Sequence, residues 1–232
     1  MNTARVIQLD AHRPKRRGGP KEPEAPTGSM FGKGLTDSDM AELTARFADP
    51  STEAEHRDRA LFLVMSSTGL RAAEVLRLKW SDAVKTPEGK EGFWYVRKGG
   101  RTLLTIPSPQ ALEAVRAYHA AAGIEADRFF HSLPNRAKAN ERTPLTTRSL
   151  QRIVNAWNVT TASRRKVHPH ALRHTVLQRV HDREGSIAAQ MKGGHSSMVT
   201  TSRHYVRPYH DGTQHLDWSA PEASEKIGET DA

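Results

Sequence analysis

The stretch His-Pro-His-Ala-Leu-Arg-His-Thr, residues 168–175, carries the strongest indication of how this chain folds and of the chemistry it supports. It predicts a helix over roughly 169–181, in which His170 and His174 lie one turn apart. Arg173 precedes the second histidine, and its guanidinium has a planar fork of donors that matches two phosphate oxygens. The stretch therefore predicts a helix that carries an anion-binding side chain.

Two further segments supply side chains of the same kind. Upstream lies Thr-Gly-Leu-Arg-Ala-Ala-Glu-Val, residues 68–75, with a second arginine at Arg71; downstream, Gly-His-Ser-Ser at residues 194–197 precedes Tyr205. With the first stretch they provide two arginines, two histidines and a phenol, which suit attack on a phosphodiester without a metal ligand cluster. Two arginines can hold the anion and its transition state, and a tyrosine can open the backbone covalently.

The composition agrees with a polyanionic partner. The 232 residues carry a formal net charge of +9 and a pI near 10.0, which predicts attraction to DNA, RNA or an anionic membrane surface. No apolar run approaches the roughly 18 residues that span a bilayer, so the membrane is the weakest of these partners. The absence of cysteine excludes a disulfide framework, a thiolate zinc site and a thiol nucleophile. A cytoplasmic, nucleoid-associated location is the default expectation.

The sequence divides into three parts by composition. Residues 1–34 are rich in proline, glycine and basic side chains, which predicts a disordered basic arm that contacts phosphates without sequence preference. Residues 35–210 carry the periodic apolar patterns of a folded domain. Residues 211–232 are acidic with a few apolar anchors. We expect this tail either to contact a neighbouring protomer or to remain a disordered solubilising segment.

Start and stop signals predict several helices in the middle part. Thr36 and Asp39 form a capping box for the first, and the second is expected from about Thr52, with Ser51 as its cap, to a stop at Gly69. Further helices are expected over about 109–122, 146–157, 169–181 and 187–192, and in a last short segment that reaches Tyr205.

A short helix and a hairpin are expected between these elements. Arg71 opens the helix, and it shares a face with Glu74 because the two residues are three positions apart. The hydrophobic period then changes to that of β-strands, with one strand around 93–95, another around 103–105 and a polar turn at 97–101. The predicted fold is mainly α with a small antiparallel β-sheet.

In order and spacing, these motifs resemble those of the catalytic domain of tyrosine recombinases of the phage integrase type, over about residues 35–210. In that family the first arginine lies in a Thr-Gly-x-Arg-x-x-Glu segment, followed by a hairpin lysine, a His-x-x-Arg motif, a Gly-His element and a tyrosine. The matching residues are Arg71 with Glu74, Lys98, His170 with Arg173, Gly194 with His195, and Tyr205. The resemblance implies a site-specific DNA recombinase that needs no cofactor, metal ion or ATP.

The resemblance also implies a role for each side chain. Arg71 and Arg173 would clamp the scissile phosphate, and His170 would act as the acid and base. His195 would donate a hydrogen bond to a phosphate oxygen. Glu74 would orient the side chain of either Arg71 or His170 without itself contacting the phosphate.

The hairpin lysine and the second histidine of the helix complete the set. Lys98 would protonate the departing 5′ oxygen, and Arg97 or Arg101 could take this role instead. His174 would support the site without touching the reacting phosphate. A tyrosine joined to the 3′ phosphate would conserve the energy of the broken bond for rejoining.

The spacing of the tyrosine departs from the family pattern. Family members usually place it nine residues after the Gly-His histidine, whereas Tyr205 is the tenth residue after His195. One helical step rotates a side chain by about 100°. Either the loop at 198–201 absorbs the extra residue, or Tyr209 replaces Tyr205 as the nucleophile.

Several alternatives stay open at this point. The shifted tyrosine is compatible with a DNA-binding relative that keeps the fold without cleavage, and the phosphate chemistry is compatible with a type IB topoisomerase. Zinc bound by His170 and His174, with His168 or His195 as third ligand, is a weaker interpretation because Ala171 stands where a zincin has glutamate.

The expected partners follow from the resemblance. Duplex DNA is the substrate, and we expect self-association on paired sites as a synaptic tetramer, with a helper DNA-binding protein as a further partner. Family members usually carry a helical core-binding domain before the catalytic one, and residues 1–34 are too short and too polar for it. An incomplete DNA clamp is therefore expected.

Overall fold

The computed structural model describes residues 33–97, 99–134 and 142–194, and within them six α-helices and a three-stranded antiparallel sheet. The prediction of a mainly α fold with a small sheet is confirmed. The elements are α1 (Asp37–Arg46), α2 (Glu53–Thr68), α3 (Ala72–Val75), β1 (Ala83–Lys85), β2 (Glu91–Val96), β3 (Thr102–Thr105), α4 (Pro109–Ala122), α5 (Thr147–Asn155) and α6 (Pro169–Gly193).

Local capping signals account for the starts of the first two helices. At α1 the capping box of Thr36 and Asp39 is present as predicted. At α2 the predicted cap is wrong: Thr52, not Ser51, accepts the hydrogen bond from the backbone of Glu55, at 3.3 Å. Ser51 stands one position too early to reach that amide, and its own N–H and hydroxyl instead donate to the carboxylate of Glu55. These donors and those of the true cap lower the pKa of this carboxyl to about 2.

The sheet contains a strand that the sequence pattern did not reveal. The hairpin of β2 and β3 is confirmed, with Phe93 opposite Thr105 and Tyr95 opposite Leu103. β1 pairs with the other edge of β2. Its three residues are too few to display an alternating pattern, so the strand exists only because β2 offers it a hydrogen-bonding edge.

Helix α6 is broken where the sequence predicts a gap between two helices. Gly185 has φ 86° and ψ 177°, a conformation that interrupts the helix and that glycine adopts without steric cost. The part before the break carries His170 and Arg173, with Leu172 and Leu177 fully buried. The part after it ends at Gly194, which has φ 58°.

The core lies where α2 packs against α4 and α6. One aromatic group consists of Phe47, Phe62 and Trp157. The ring centroids of Phe47 and Trp157 lie 5.2 Å apart. Gly69 at the end of α2 lies against Val176 in the first part of α6. This packing brings the 68–75 segment and the 168–175 segment together.

Several predicted features lie outside the described residues. They are the basic arm up to residue 32, Lys98, the last short helix, the acidic tail 211–232, His195, Tyr205 and Tyr209. Within the described part of the chain, no helix is both long enough and apolar enough to cross a membrane.

Candidate active site

One buried carboxylate stands among three guanidinium groups. Glu74 has a side chain that is 5% exposed, and its Oε1 lies 3.0 Å from Nη1 of Arg71 and 3.7 Å from Nε of Arg97. Its Oε2 lies 4.0 Å from Nη1 of Arg173. Three positive charges against one negative charge leave this arginine cluster (Arg71, Arg97 and Arg173 around Glu74) with a net positive charge. It is therefore suited to hold an anion.

The end of α2 places Arg71 in this cluster. Gly69 ends the helix at φ 67°, and the chain turns so that Leu70 is buried and Arg71 becomes the N-cap of α3. The backbone N–H of Arg71 donates to Glu74 at 2.8 Å, in addition to the side-chain bond. The sequence left open which side chain Glu74 contacts, and the structure pairs it with Arg71. The side chain of Arg71 is still 39% exposed.

Arg173 is the most completely buried member. Its side chain is 2% exposed, and its Nη1 and Nη2 donate to the carbonyl oxygens of Gly69 and Gly193, at 2.7 and 2.8 Å. These two carbonyls end α2 and α6, so one guanidinium ties both helix ends together. To bond to both carbonyls, the side chain must be planar with fixed, divergent donors, and a lysine ammonium does not have this geometry.

His170 lies beside the arginines at the start of α6. Although His170 is partly exposed, its pKa is lowered to about 4, chiefly because the surrounding protein removes water from the ring and then because of the charge of Arg173, with smaller effects of His168, His174 and Arg71. His168 is the N-cap of the helix, since its Nδ1 accepts from the backbone N–H of Ala171 at 3.2 Å. The His168 and His170 rings are parallel, with centroids 6.4 Å apart. His170 is therefore neutral at pH 7.

The two residues after Arg173 attach the site to the start of the domain. His174 is 6% exposed, which agrees with a supporting position behind the site. Thr175 accepts a hydrogen bond from the backbone N–H of Leu35 at 2.7 Å and donates to the carbonyl of Ala171. Leu35, near the start of the described residues, is thus attached to the helix that carries the site.

Arg97 is the residue whose position the sequence did not predict. It was considered only as a replacement for Lys98, yet its side chain is 11% exposed and packs against the end of α6. Gly194 has φ 58°, which favours glycine, and a methyl group there would lie 2.5 Å from Nη1 of Arg97 and 2.9 Å from Cδ1 of Leu103. Burial lowers the pKa of Arg97, and the nearby charge of Arg71 lowers it further. A charged residue in a polar turn carries no local signal of such burial.

The structure brings together only part of the predicted set. Arg71, Glu74, His170, Arg173 and His174 lie in one cluster. Lys98, His195 and Tyr205, the other members of the predicted set, lie outside the described residues. Across the described ranges, no group of three or more histidine, aspartate or glutamate side chains is arranged to hold a metal ion.

Glu74→Gln should lower the free energy of unfolding by about 3 kcal/mol, because it leaves three neighbouring guanidiniums without their shared carboxylate. Inorganic phosphate should restore more stability to the variant than to the native protein, since an anion between the arginines replaces the lost charge. Urea unfolding with and without phosphate measures both effects. Glu91→Gln, which removes only the exposed pair with Arg116, is the control. Equal unfolding of Glu74→Gln and native protein would refute the central role of this carboxylate.

Comparison with known proteins places this arrangement in a family. The family described as Phage integrase family matches residues 33–211. The tyrosine recombinase XerC of Xanthomonas axonopodis pv. citri (strain 306) is 30% identical over 165 residues, which are 69% of this chain and 51% of that protein. The chain thus spans about half the length of this relative.

Solved structures share the fold. The crystal structure of XerA recombinase superposes with a TM-score of 0.59 at 22% identity, over 79% of this chain and 65% of that one. XerH site-specific recombinase bound to difH substrate gives a TM-score of 0.57 at 19% identity, over 80% of this chain and 52% of that one. Since the family match covers residues 33–211 and includes the whole arginine cluster, this chain belongs to the phage integrase family of tyrosine recombinases.

Proposed function

We propose that this chain cleaves and rejoins duplex DNA as a site-specific recombinase, through a 3′-phosphotyrosyl intermediate and without metal ion or ATP. The observation that carries the proposal is the arginine cluster, in which Glu74 holds three guanidiniums beside a neutral His170. This arrangement offers fixed positive charge and a proton acceptor at one place. Both are what attack on a phosphodiester requires.

Arg71 and Arg173 act on the phosphate in different ways. Arg71 is partly exposed and is the guanidinium that an incoming phosphate oxygen reaches from solvent. Arg173 is held rigidly by two backbone carbonyls, so its charge is already in place before the substrate binds. Preorganised charge stabilises the pentavalent transition state without reorganisation during the reaction.

His170 supplies the proton transfer. A tyrosine phenol has an ordinary pKa near 10, so attack at neutral pH needs a group that accepts its proton. The lowered pKa of His170 keeps the ring unprotonated and able to accept. The negative charge of a bound phosphate would offset the arginines and raise that pKa, which makes the ring a better base once the substrate is present.

The remaining roles rest on the family motif. The oxygen of Tyr205 attacks the phosphorus, the bond to the 5′ oxygen breaks, and Lys98 donates the proton that this oxygen takes up. The products are a 3′-phosphotyrosine and a free 5′-hydroxyl. Two described neighbours support the assignment: Arg97 precedes the lysine and Gly194 precedes His195, and these two neighbours contact each other at the arginine cluster.

Duplex DNA is the proposed partner, with self-association on paired sites. The solved structure of XerH is of a recombinase on its difH substrate, and the net charge of +9 favours a polyanion here. A synaptic tetramer, with or without a helper DNA-binding protein, would bring two sites together for strand exchange.

Covalent capture tests the proposal. A pool of nicked duplexes with a randomised central segment is incubated with the protein in EDTA, and complexes that survive denaturation are isolated and sequenced. We expect an adduct on a recurring sequence. DNA binding without any adduct would identify a binding relative that does not cleave, and relaxation of plasmids lacking that sequence would identify a topoisomerase. An adduct that requires added zinc or magnesium would overturn the metal-free mechanism.

The titration of His170 is a further expected result. In the free protein its ring should titrate near pH 4, and inorganic phosphate should raise that midpoint. Because the pKa in the folded protein lies below the ordinary histidine value of 6.5, protonation opposes folding, and stability should fall as the pH is lowered from 6.5 toward 4. NMR of the imidazole protons measures the midpoint, with His170→Gln to assign the signal. A midpoint near 6.5 that phosphate does not move would contradict the described environment.

A further inference from the structure

A tight basic hairpin lies directly before α6. Thr161 and Arg165 close it, with the N–H of Thr161 donating to the carbonyl of Arg165 at 2.8 Å and the N–H of Arg164 donating to the carbonyl of Thr161 at 2.7 Å. The side chain of Thr161 also accepts from the backbone of Arg165. We call residues 160–166 the basic hairpin. Its loop of three residues ends in a left-handed residue, Arg164, at φ 57°.

The left-handed position is occupied by an unusual residue type. Glycine is the usual choice there, because a side chain costs roughly 1 kcal/mol or more in this conformation. The other positive-φ residues in the described part of the chain are Asn158, a type that tolerates the conformation, and seven glycines: Gly69, Gly89, Gly99, Gly100, Gly123, Gly185 and Gly194. Arg164 therefore adopts a conformation that has a free-energy cost for its residue type.

Three adjacent cations project from the basic hairpin. The side chains of Arg164, Arg165 and Lys166 are exposed, and none of them pairs with a carboxylate of the described residues. By contrast, Arg46 and Arg142 form ion pairs with glutamates. The carboxylates of the described residues thus leave the charges of the hairpin available to an external anion.

The basic hairpin is fixed close to the arginine cluster. The N–H of Ala162 donates to the carbonyl of Gly34 at 2.9 Å, and Gly34 packs directly against Thr175 of α6. Burial lowers the pKa of His168 and the positive charge of Arg165 lowers it further, and the ring of His168 lies parallel to that of His170. A duplex that places one phosphate at the arginine cluster therefore passes close to the hairpin.

We propose that the basic hairpin is a second phosphate-binding site, in which Arg164, Arg165 and Lys166 contact backbone phosphates of duplex DNA beside the scissile phosphate. The site rests on the proposed function for the identity of its ligand. Its role is to position the duplex, since these side chains contact the backbone and take no part in bond breakage. The conformational cost at Arg164 is offset by the phosphate contact that the residue makes.

Two substitutions at one position separate the charge from the backbone conformation. Arg164→Gly and Arg164→Asn both remove the guanidinium and suit the left-handed conformation. Tm should stay unchanged or rise by up to about 3 °C, since relief of strain is partly offset by the greater flexibility of glycine in the unfolded chain. Binding to a mixed-sequence duplex should weaken about fivefold near 0.15 M salt, and the log–log salt slope should become shallower by about 0.9, as expected for one lost phosphate contact.

Asn158→Gly is the matched control, because it changes the other non-glycine left-handed residue without changing the charge. Its affinity and salt slope should equal those of the native protein. Unchanged binding and unchanged slope in both Arg164 variants would overturn the proposal, as would a loss that tracks a fall in Tm. A loss for duplex RNA with none for duplex DNA would also overturn it. Binding is measured without cleavage, so failure of the covalent-adduct test would leave this result intact, and the two proposals can fail separately.

Discussion

Tyr205→Phe should abolish the covalent protein–DNA adduct and leave the affinity for the same duplex within about threefold, since the substitution removes only a hydroxyl. The phenol oxygen is the atom that would join to phosphorus, and a phenylalanine side chain has no atom that can do so. The adduct is measured on the sequence recovered from the randomised pool, and the affinity by a binding assay under the same conditions. The expected loss is complete because the proposed intermediate is joined to the protein through this oxygen.

Tyr209→Phe is the matched control, because it removes the same hydroxyl four residues later. It should form the adduct at the native rate. The one-residue shift from the usual spacing makes this comparison decisive, and adduct formation by Tyr205→Phe with loss in Tyr209→Phe would assign the nucleophile to the later tyrosine. Loss of the adduct in neither variant would show that the attachment is not to a tyrosine of this segment.

Arg173→Lys should slow adduct formation by about 10²–10³-fold at saturating DNA, because an ammonium cannot bond to both carbonyls that hold the positive charge in place beside the phosphate. The side chain also joins the carbonyls of Gly69 and Gly193, so the variant should lose about 1–3 kcal/mol of stability from their unsatisfied hydrogen bonds. Single-turnover cleavage and urea unfolding measure the two effects separately.

The control for this result is Arg116→Lys, which alters an exposed arginine paired with Glu91. Its cleavage rate and stability should remain close to native values. If Arg173→Lys retained cleavage within tenfold while losing stability, Arg173 would be a purely structural residue that joins two helix ends. A kinetic loss that persists at temperatures where the variant is fully folded supports its contact with the reacting phosphate.

Local signals were sufficient for most of the fold. Thr36 with Asp39 marks the start of α1 where the sequence predicts it, and α4, bounded by Ser108 as cap and by Gly123 at φ 60°, matches the helix predicted over about 109–122. Each acts through hydrogen bonds or backbone angles within a few residues, so no distant contact is needed to interpret it. β1 was missed because a strand of three residues depends on the edge of its neighbour.

The family of the site could also be predicted from the sequence, because the motif residues occur in order and at matching separations. Arg71, Glu74, His170 and Arg173 were all named on this basis, and the structure brings them together. The displacement of the tyrosine by one residue was visible as well. Its consequence depends on segments outside the described residues.

Only the tertiary structure decided how the charges are shared. Glu74 serves Arg71, Arg97 and Arg173 at once, although the last of these is about a hundred residues away along the chain. The burial of Arg97 against Gly194 and the lowered pKa of His170 likewise arise from groups that distant segments contribute. Residue types and their spacing determined which chemistry this protein carries. The net charge, the exposure and the proton affinity of each group depend on solvent exclusion and on long-range contacts, which exist only after the chain has folded.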